Sequence, residues 1–415
     1  MRLFTREGVR GRSGRFFFLA GMRTPFDGTP HLPAGLNAPM PRAARVAVTV
    51  VFFASGAAYG SFVARIPALK EQLEAGEAEL GLVLFAGAVG AILVLPVAAW
   101  LSARVGSRRV TRASLLAVAL GLPLLALAPT LLTFALVFAV FGAVTSALDL
   151  AMNAHGVEVE ERYARPIFSS FHASWSLGGL AGAGVGGVAA ALSVPPFAQF
   201  AGVGAVVVLI LLWSTPGLLA HERTVEGRQW GFGRPSAALI ALATLAFAGL
   251  VAEGAAADWS AVYLDDSVGT SEAVATAGFA AFSATMTLGR LVGDRLTAAW
   301  GPVVLTRRAG ILATAGMALA LLLGNSIGGV VGFACLGAGL ATVVPSVFRA
   351  AGQRSASPGT GIAAVSTIGY SAFLVGPPAI GFLAEAIGLR AALGVVIACT
   401  TLIPILAGAT RGVDE

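Results

Sequence analysis

Lysine is almost missing from this chain: of its 27 basic residues only Lys70 is a lysine, and the rest are arginines. That excludes a GxxxxGK[ST] loop, whose lysine must reach nucleotide phosphates, so any pumping runs on an ion gradient or on a separate subunit. Charge of either sign is also scarce. Its share of 12% falls well short of the roughly one quarter found in soluble proteins and excludes a water-soluble fold. The two cysteines, Cys335 and Cys399, sit inside apolar runs and argue against a disulfide framework. Four histidines occur without H-E-x-x-H or a paired C-x-x-C, so neither a metal site nor another cofactor is expected. What remains is 57% apolar, with 53 glycines and a mean hydropathy of +0.84. These values describe a polytopic membrane protein whose helices approach closely through small residues.

From Arg45 onward twelve apolar stretches recur, at 45–64, 79–101, 110–129, 131–155, 167–193, 196–219, 236–262, 272–296, 301–323, 327–349, 359–385 and 389–410. Each is near the ~20 residues that cross about 30 Å of hydrocarbon as a helix. Residues 1–44 read as a disordered cytoplasmic tail. Phe16 to Ala20 is too short for a span and no small-residue cleavage site follows it, so no signal peptide is assigned; Met40 is a second candidate start. Twenty-four of the 27 basic residues fall in the stretch through Arg45 and in alternate connections, against Arg65, Lys70 and Arg390 in the others. By the positive-inside rule both termini are cytoplasmic, and the connections around Glu71 to Glu77 and Asp265-Asp266 face outward. The same placement explains the net charge of +6 without a nucleic-acid partner.

A repeat organises the chain. Span 2 leads into Arg104-Val105-Gly106-Ser107-Arg108-Arg109, and span 8 leads into Trp300-Gly301 and then Arg307-Arg308. The polar segment 221–235 separates a first half, 45–220, from a second, 236–410, ahead of a short tail at 411–415. Paired six-helix halves imply a site at their interface and transport by rocking one against the other. On these residues the chain resembles the major facilitator superfamily over essentially all of 45–410. The family's signature between spans 2 and 3, roughly G-x-L-A-D-R-x-G-R-R, is met by Ala99-Trp-Leu101-Ser-Ala103-Arg104-Val-Gly106-Ser-Arg108, which lacks the acid. In the second half Gly289-Arg290-Leu-Val-Gly293-Asp294-Arg295 supplies an acid, further from its glycine, Gly301. The resemblance therefore implies an inner gate of Arg104, Gly106, Arg290 and Arg295 that rests mainly on Asp294. Asp149-x3-Asn153, Gly156-x-Glu158-x-Glu160 and Phe171-His172-Ala-Ser-Trp175-Ser176 are similar to a bacterial branch near the fucose-permease type, and ARIPALKEQL (64–73) and AADWSAVYL (256–264) add to the likeness. It implies an all-α membrane protein of twelve helices in two pseudo-symmetric halves, in a bacterial inner membrane, for which one monomeric bundle suffices.

Ionisable side chains at bilayer depth usually face a protein interior or a wet path. Asp149 and Asn153 are four apart and share a helix face; a carboxyl there can take and release a proton near neutral pH, or else pair statically with an arginine of the following connection. His172, just past that connection, titrates near neutrality and can meet Asp149, or serve as a hydrogen-bonding interhelical histidine. Glu253 is expected as a second proton site and Asp258 as a gate residue pairing Arg65 across the outer mouth; both can equally be solvated helix-end charges. Trp259 and Tyr263 read as an interfacial aromatic belt. Asn153, His172, Trp175 and Tyr59 are the groups expected to hold the solute.

Gly178-x3-Gly182-Ala183-x2-Gly186-Gly187 matches the superfamily's antiporter signature G-x-x-x-G-P-x-x-G-G except at the proline, and close packing explains it equally well. Pro377-Pro378 should kink span 11. Gly324-Asn-Ser326-Ile-Gly328 fits G-x-S-x-G, but it lies in a short turn rather than the strand-turn-helix context a nucleophile needs, so the chain is not expected to be an enzyme. The leading expectation is proton-coupled uptake of a small sugar-like solute. Proton-driven export of an amphiphile and a non-transporting membrane sensor are the alternatives.

Overall fold

The structure, a computed structural model, describes residues 42–163, 167–219, 236–354 and 358–411. Its spans are α1 (Arg42–Val63), α2 (Glu77–Val105), α3 (Ser107–Leu125), α4 (Leu131–Tyr163), α5 (Phe168–Ala191) and α6 (Pro196–Ser214), followed by α7 (Ala237–Val262), α8 (272–300), α9 (302–323), α10 (Ser326–Gln353), α11 (Pro358–Ile387) and α12 (Leu389–Thr410). Nine stretches of the described residues are long and apolar enough to cross a membrane on composition alone. The others, α3, α5 and the start of the α8 stretch, carry the Arg, Ser, His and Thr side chains that lower hydropathy. The chain is an all-α membrane protein of twelve helices in two six-helix halves. Segments 1–41 and 220–235, which include most of the expected tail and linker, lie outside the described residues.

Arg42 and Thr410 lie at one end of the bundle, with the Gly106 and Gly301 turns; Arg65, Lys70 and Asp266 lie at the other. We call these the Gly106 end and the Arg65 end. Gly106 (φ 92°) and Gly301 (φ 73°) each turn the chain between two helices in a single residue. Such a φ is open to glycine and costly for residues with a Cβ. Each turn also has an arginine over a tryptophan ring, at different offsets from its glycine: Arg104 lies 5.3 Å over Trp100, and Arg308 lies 4.6 Å over Trp300.

Two helices run further than their apolar stretches. α4 continues through the charged segment to Tyr163, so its 33 residues span about 50 Å at 1.5 Å each and must leave the hydrocarbon. The extension is held locally. Arg162 pairs with Glu158 one turn back at 2.5 Å, and Glu160 accepts the backbone N–H groups of Ile167 and Phe168 at the start of α5, at 2.6 and 2.5 Å. His155, fully buried, binds Ser107 through Nδ1 at 2.8 Å and accepts the Leu219 N–H on Nε2 at 3.1 Å, tying α4 to α3 and to the end of α6.

Lipid tails are as apolar as leucine, so helix contact here comes from close packing rather than from burial away from water. A Cβ on Gly56 or Gly60 of α1 would overlap the carbonyls of Trp175 or Gly179 on α5, and one on Gly178 or Gly182 would overlap those of Phe53 or Ala57. The glycines that resemble an antiporter signature are thus occupied in the α1–α5 contact. Between the halves, α5 packs on α8 and α2 on α11. A Cβ on Gly81 would lie 2.7 Å from the Pro377 carbonyl, and one on Gly187 would lie 2.5 Å from Thr276 Oγ1.

Two expectations need correction. Trp259 and Tyr263 are fully buried rather than interfacial: Tyr263 donates to the Ala320 carbonyl at 2.9 Å and meets Phe333 edge-on at 6.3 Å. Arg290 belongs to the interior of α8, eleven residues before Gly301, and not to a polar connection.

Candidate functional site

Six helices bring polar and aromatic groups to the middle of the bundle. On α1, Tyr59 stacks on Trp175 of α5 at 5.6 Å and meets Phe279 of α8 edge-on at 6.3 Å. On α7, the carboxyls of Glu253 and Asp258 both act electrostatically on the Tyr59 phenol. Arg290 reaches across the halves. Its Nη2 lies 3.6 Å from Glu253 Oε1, and its Nη1 donates to Ser176 Oγ of α5 at 3.4 Å. On α4, Asn153 Nδ2 donates to Asp149 Oδ1 at 2.9 Å and to its carbonyl at 2.7 Å, as the four-residue spacing implies. Tyr370 of α11 feels the charge of both Asp149 and Glu253.

Asp149 is solvent-exposed while protein surrounds it on nearly all sides. A side chain in both conditions lines a cleft. Tyr370, 51% exposed, and His172, also exposed, share this character. The cleft is therefore faced by three carboxyls, one guanidinium, one imidazole and two phenols. Asp258 has no ion-pair or hydrogen-bond partner among the described residues, whereas Glu253 has Arg290 as its counter-charge.

The Arg65 end is closed by ion pairs that join the halves. Arg65, 3% exposed, sets Nε 2.7 Å from Glu272 Oε1 at the start of α8, in an ionic contact rather than an aligned hydrogen bond. Its Nη1 donates to the Val194 carbonyl and to Gln199 Oε1, both at 3.0 Å, and Gln199 Nε2 donates to Ser61 Oγ at 2.7 Å. Lys70 pairs with Asp266, which a π-helical turn, Tyr263–Ser267, presents beyond α7, and with Glu77 at 3.4 Å.

The expected Arg65–Asp258 pair is not formed. The guanidinium sits beyond the end of α1, against the first turn of α8, while Asp258 lies one turn inside the end of α7, in electrostatic reach of Tyr59. Nor does His172 meet Asp149: its ring packs between Phe52 at 5.4 Å and Phe168 at 5.1 Å, and the charge it feels is that of Arg290. Tyr59 meets Trp175 and lies in electrostatic reach of Glu253, Asp149 shares only Tyr370 with Glu253, and Arg290 faces Glu253 from the interior of α8. The Asp294 side chain lies outside the described residues. Sequence reasoning missed Glu272, Gln199 and Tyr370; the only available signal was a polar residue inside or beginning an apolar stretch. Gly324, Asn325 and Ser326 form a helix cap: Asn325 Oδ1 accepts the Gly328 N–H at 2.8 Å, and Gly324 adopts φ 56°.

The Major Facilitator Superfamily profile matches residues 48–377. An uncharacterized transporter of Sinorhizobium fredii is 35% identical over 369 residues, covering 87% of this chain and 96% of that one. The membrane protein MosC of Rhizobium meliloti is 35% identical over 368 residues, covering 86% and 89%. Among solved structures, a bacterial homolog of the human lysosomal transporter Spinster, inward-facing and unoccupied, aligns with a TM-score of 0.70 at 14% identity, covering 90% of this chain and 96% of that one. The Escherichia coli fucose:proton symporter FucP aligns at 0.61 and 16% identity, covering 90% and 100%.

Proposed function

The chain belongs to the major facilitator superfamily and is a multi-pass membrane transporter, and we propose that it carries a small hydrophilic, sugar-like solute together with protons by alternating access. One observation carries this reading: Asp149 is accessible from a cleft yet enclosed by protein. A carboxyl so placed has a route for a proton and a reason to bind one, because an unpaired charge away from bulk water is costly. Tyr59, Trp175 and Asn153 offer ring faces and an amide to a hydroxylated solute. Glu253 and Arg290 form a pair that a bound solute can loosen, which frees Glu253 to act as the second carrier.

In this reading the Gly106 end faces the cytoplasm of a bacterial inner membrane, with both termini there, and the Arg65 end faces outward. Residues 45–220 and 236–410 move as the rocking halves about the 221–235 linker. Arg104, Gly106 and Arg295, with Asp294, guard the inner end; Arg65 and Lys70 latch the outer one. The test is uptake into proteoliposomes under an imposed pH gradient, using labelled neutral sugars and polyols. Accumulation that follows inward protons supports the proposal. Efflux against inward protons would favour an exporter, and no flux with any member of the panel would favour a sensor.

A further inference from the structure

Only four tyrosines occur in 415 residues, and two of them lie between the cleft carboxyls. Tyr163 sits at the Gly106 end under Arg45, and the Tyr263 hydroxyl is bound to the Ala320 carbonyl. The Tyr59 and Tyr370 hydroxyls have no hydrogen-bond partner among the described residues and are not sealed from the cleft. Both rings have aromatic neighbours. Tyr59 is held by Trp175 and Phe279, and Tyr370 stacks on Phe373 at 6.4 Å.

Helix packing sets the order of these groups along the bundle. Asp258 lies one turn from the Arg65 end of α7, and Tyr59 lies one turn from the same end of α1. Glu253 is five residues deeper on α7, about 7 Å along the axis. On α11, Gly369 packs against Ala246 and Leu250, and Phe373 against Gly254, which places Tyr370 about one turn, ~5 Å, beyond Glu253 toward the Gly106 end. Asp149, deep in α4, acts on Tyr370 from the opposite half. Asp258 and Tyr59 thus share a level near the Arg65 end, with Glu253 and then Tyr370 deeper.

We propose that Tyr59 and Tyr370 join the three cleft carboxyls into one proton path, in the order Asp258, Tyr59, Glu253, Tyr370, Asp149. A phenol serves such a path without ionising. It accepts a proton on its oxygen from one carboxylic acid, directly or through a water, while its own O–H proton passes to the next carboxylate. Each hydroxyl finishes with one proton, nothing is oxidised, and one positive charge has moved. When the proton reaches Glu253 that carboxyl becomes neutral and releases Arg290, so the path also unlocks the contact between Arg290 and its counter-charge. The other titratable or charged groups facing the path are His172 of α5 and Arg290 of α8, and the charge of Arg290 opposes a cation resting midway. The inference rests on the proton-coupled reading; it adds Tyr370 and gives the Tyr59 hydroxyl a relay role beside the ring face that Tyr59 offers the solute.

The test needs no solute. The full chain, reconstituted in liposomes, is jumped in pH while time-resolved infrared spectroscopy follows the carboxylic C=O bands, which D149N, E253Q and D258N assign. Tyr370→Phe should slow proton transfer between Glu253 and Asp149 by about 100-fold, the scale of a lost acid-base group, and Tyr59→Phe should slow transfer between Asp258 and Glu253 in the same way. Phenylalanine keeps the ring contacts, and unchanged circular dichroism would show the fold intact. Transfer rates that neither tyrosine replacement alters overturn the relay. A chain that passes protons through the tyrosines but moves no solute on a pH gradient would overturn the transport reading and leave the relay standing.

Discussion

Asp149 and Glu253 differ in what neutralises them. Glu253 faces a guanidinium at 3.6 Å, whereas Asp149 has only the Asn153 amide. An amide stabilises a carboxylate by one hydrogen bond and leaves its charge in place, so Asp149 gains more from a proton. Asp149→Asn should abolish accumulation driven by a pH gradient while leaving solute exchange across the bilayer intact; equal accumulation in mutant and native protein would remove Asp149 from the coupling. Glu253→Gln strands Arg290 without a counter-charge and should slow exchange as well as accumulation, a difference that parallel assays of the two variants will read. Lys70 gives a pH prediction. Burial opposes its charge, but the hydrogen bond and charge of Asp266, with those of Glu77, outweigh burial and raise its pKa above the ordinary value. Its contribution is thus full at and below the ordinary lysine range of about 10.4 and is lost only as pH rises through the raised value. Spin labels at Glu74 and Ser267 should keep a short separation from neutral pH into that range and should spread in Lys70→Gln. The Asp149–Asn153 contact was legible because both partners lie on one helix at a spacing of four. The Arg290–Glu253–Ser176 contact was not, since its partners lie on three helices and 114 residues apart at the extremes.

At the scale of the helix, the α1–α5 pair decides how closely the first half can close. Backbone touches backbone at Gly56, Gly60, Gly178 and Gly182, and no side chain there can rotate away. Gly60→Leu should therefore lower stability by at least the ~1–3 kcal/mol typical of overpacking. Gly184→Leu, where a Cβ meets nothing within 4 Å, should leave it nearly unchanged. Thermal unfolding in detergent compares the two directly. The contrast also bears on the near-antiporter pattern of α5, whose first two glycines are consumed by packing against α1. The apolar stretches located the twelve spanning helices, because a segment that must satisfy its backbone within lipid has few alternatives. They misjudged the length of α4, whose last two turns are held by Glu158–Arg162, Glu160 and His155 together with the buried Val159 and Tyr163.

For the whole molecule, the closure of the Arg65 end is the property most open to measurement. Arg65 joins the end of α1 to the α5–α6 turn, α6 and α8 through three polar contacts, so its removal should favour the state open at that end. Glu272 keeps 27% of its side chain accessible, and the cost of Arg65→Ala should fall to about 1–3 kcal/mol, below the ~3–5 of a fully buried pair. Faster labelling of a cysteine introduced at Ser61 would register the shift, and an unchanged rate would show that Lys70–Asp266 alone suffices. Composition and apolar spacing determined that this chain crosses a membrane twelve times in two related halves, because a bilayer imposes one length and one hydrogen-bonding solution on each crossing. The glycine turns at 106 and 301 were readable for the same local reason. Which charges oppose one another was decided only by the tertiary structure. Arg65 chose Glu272 over Asp258, and Arg290 left the expected gate for Glu253, because the few ångströms that settle an ion pair depend on how helices distant in sequence are packed side by side.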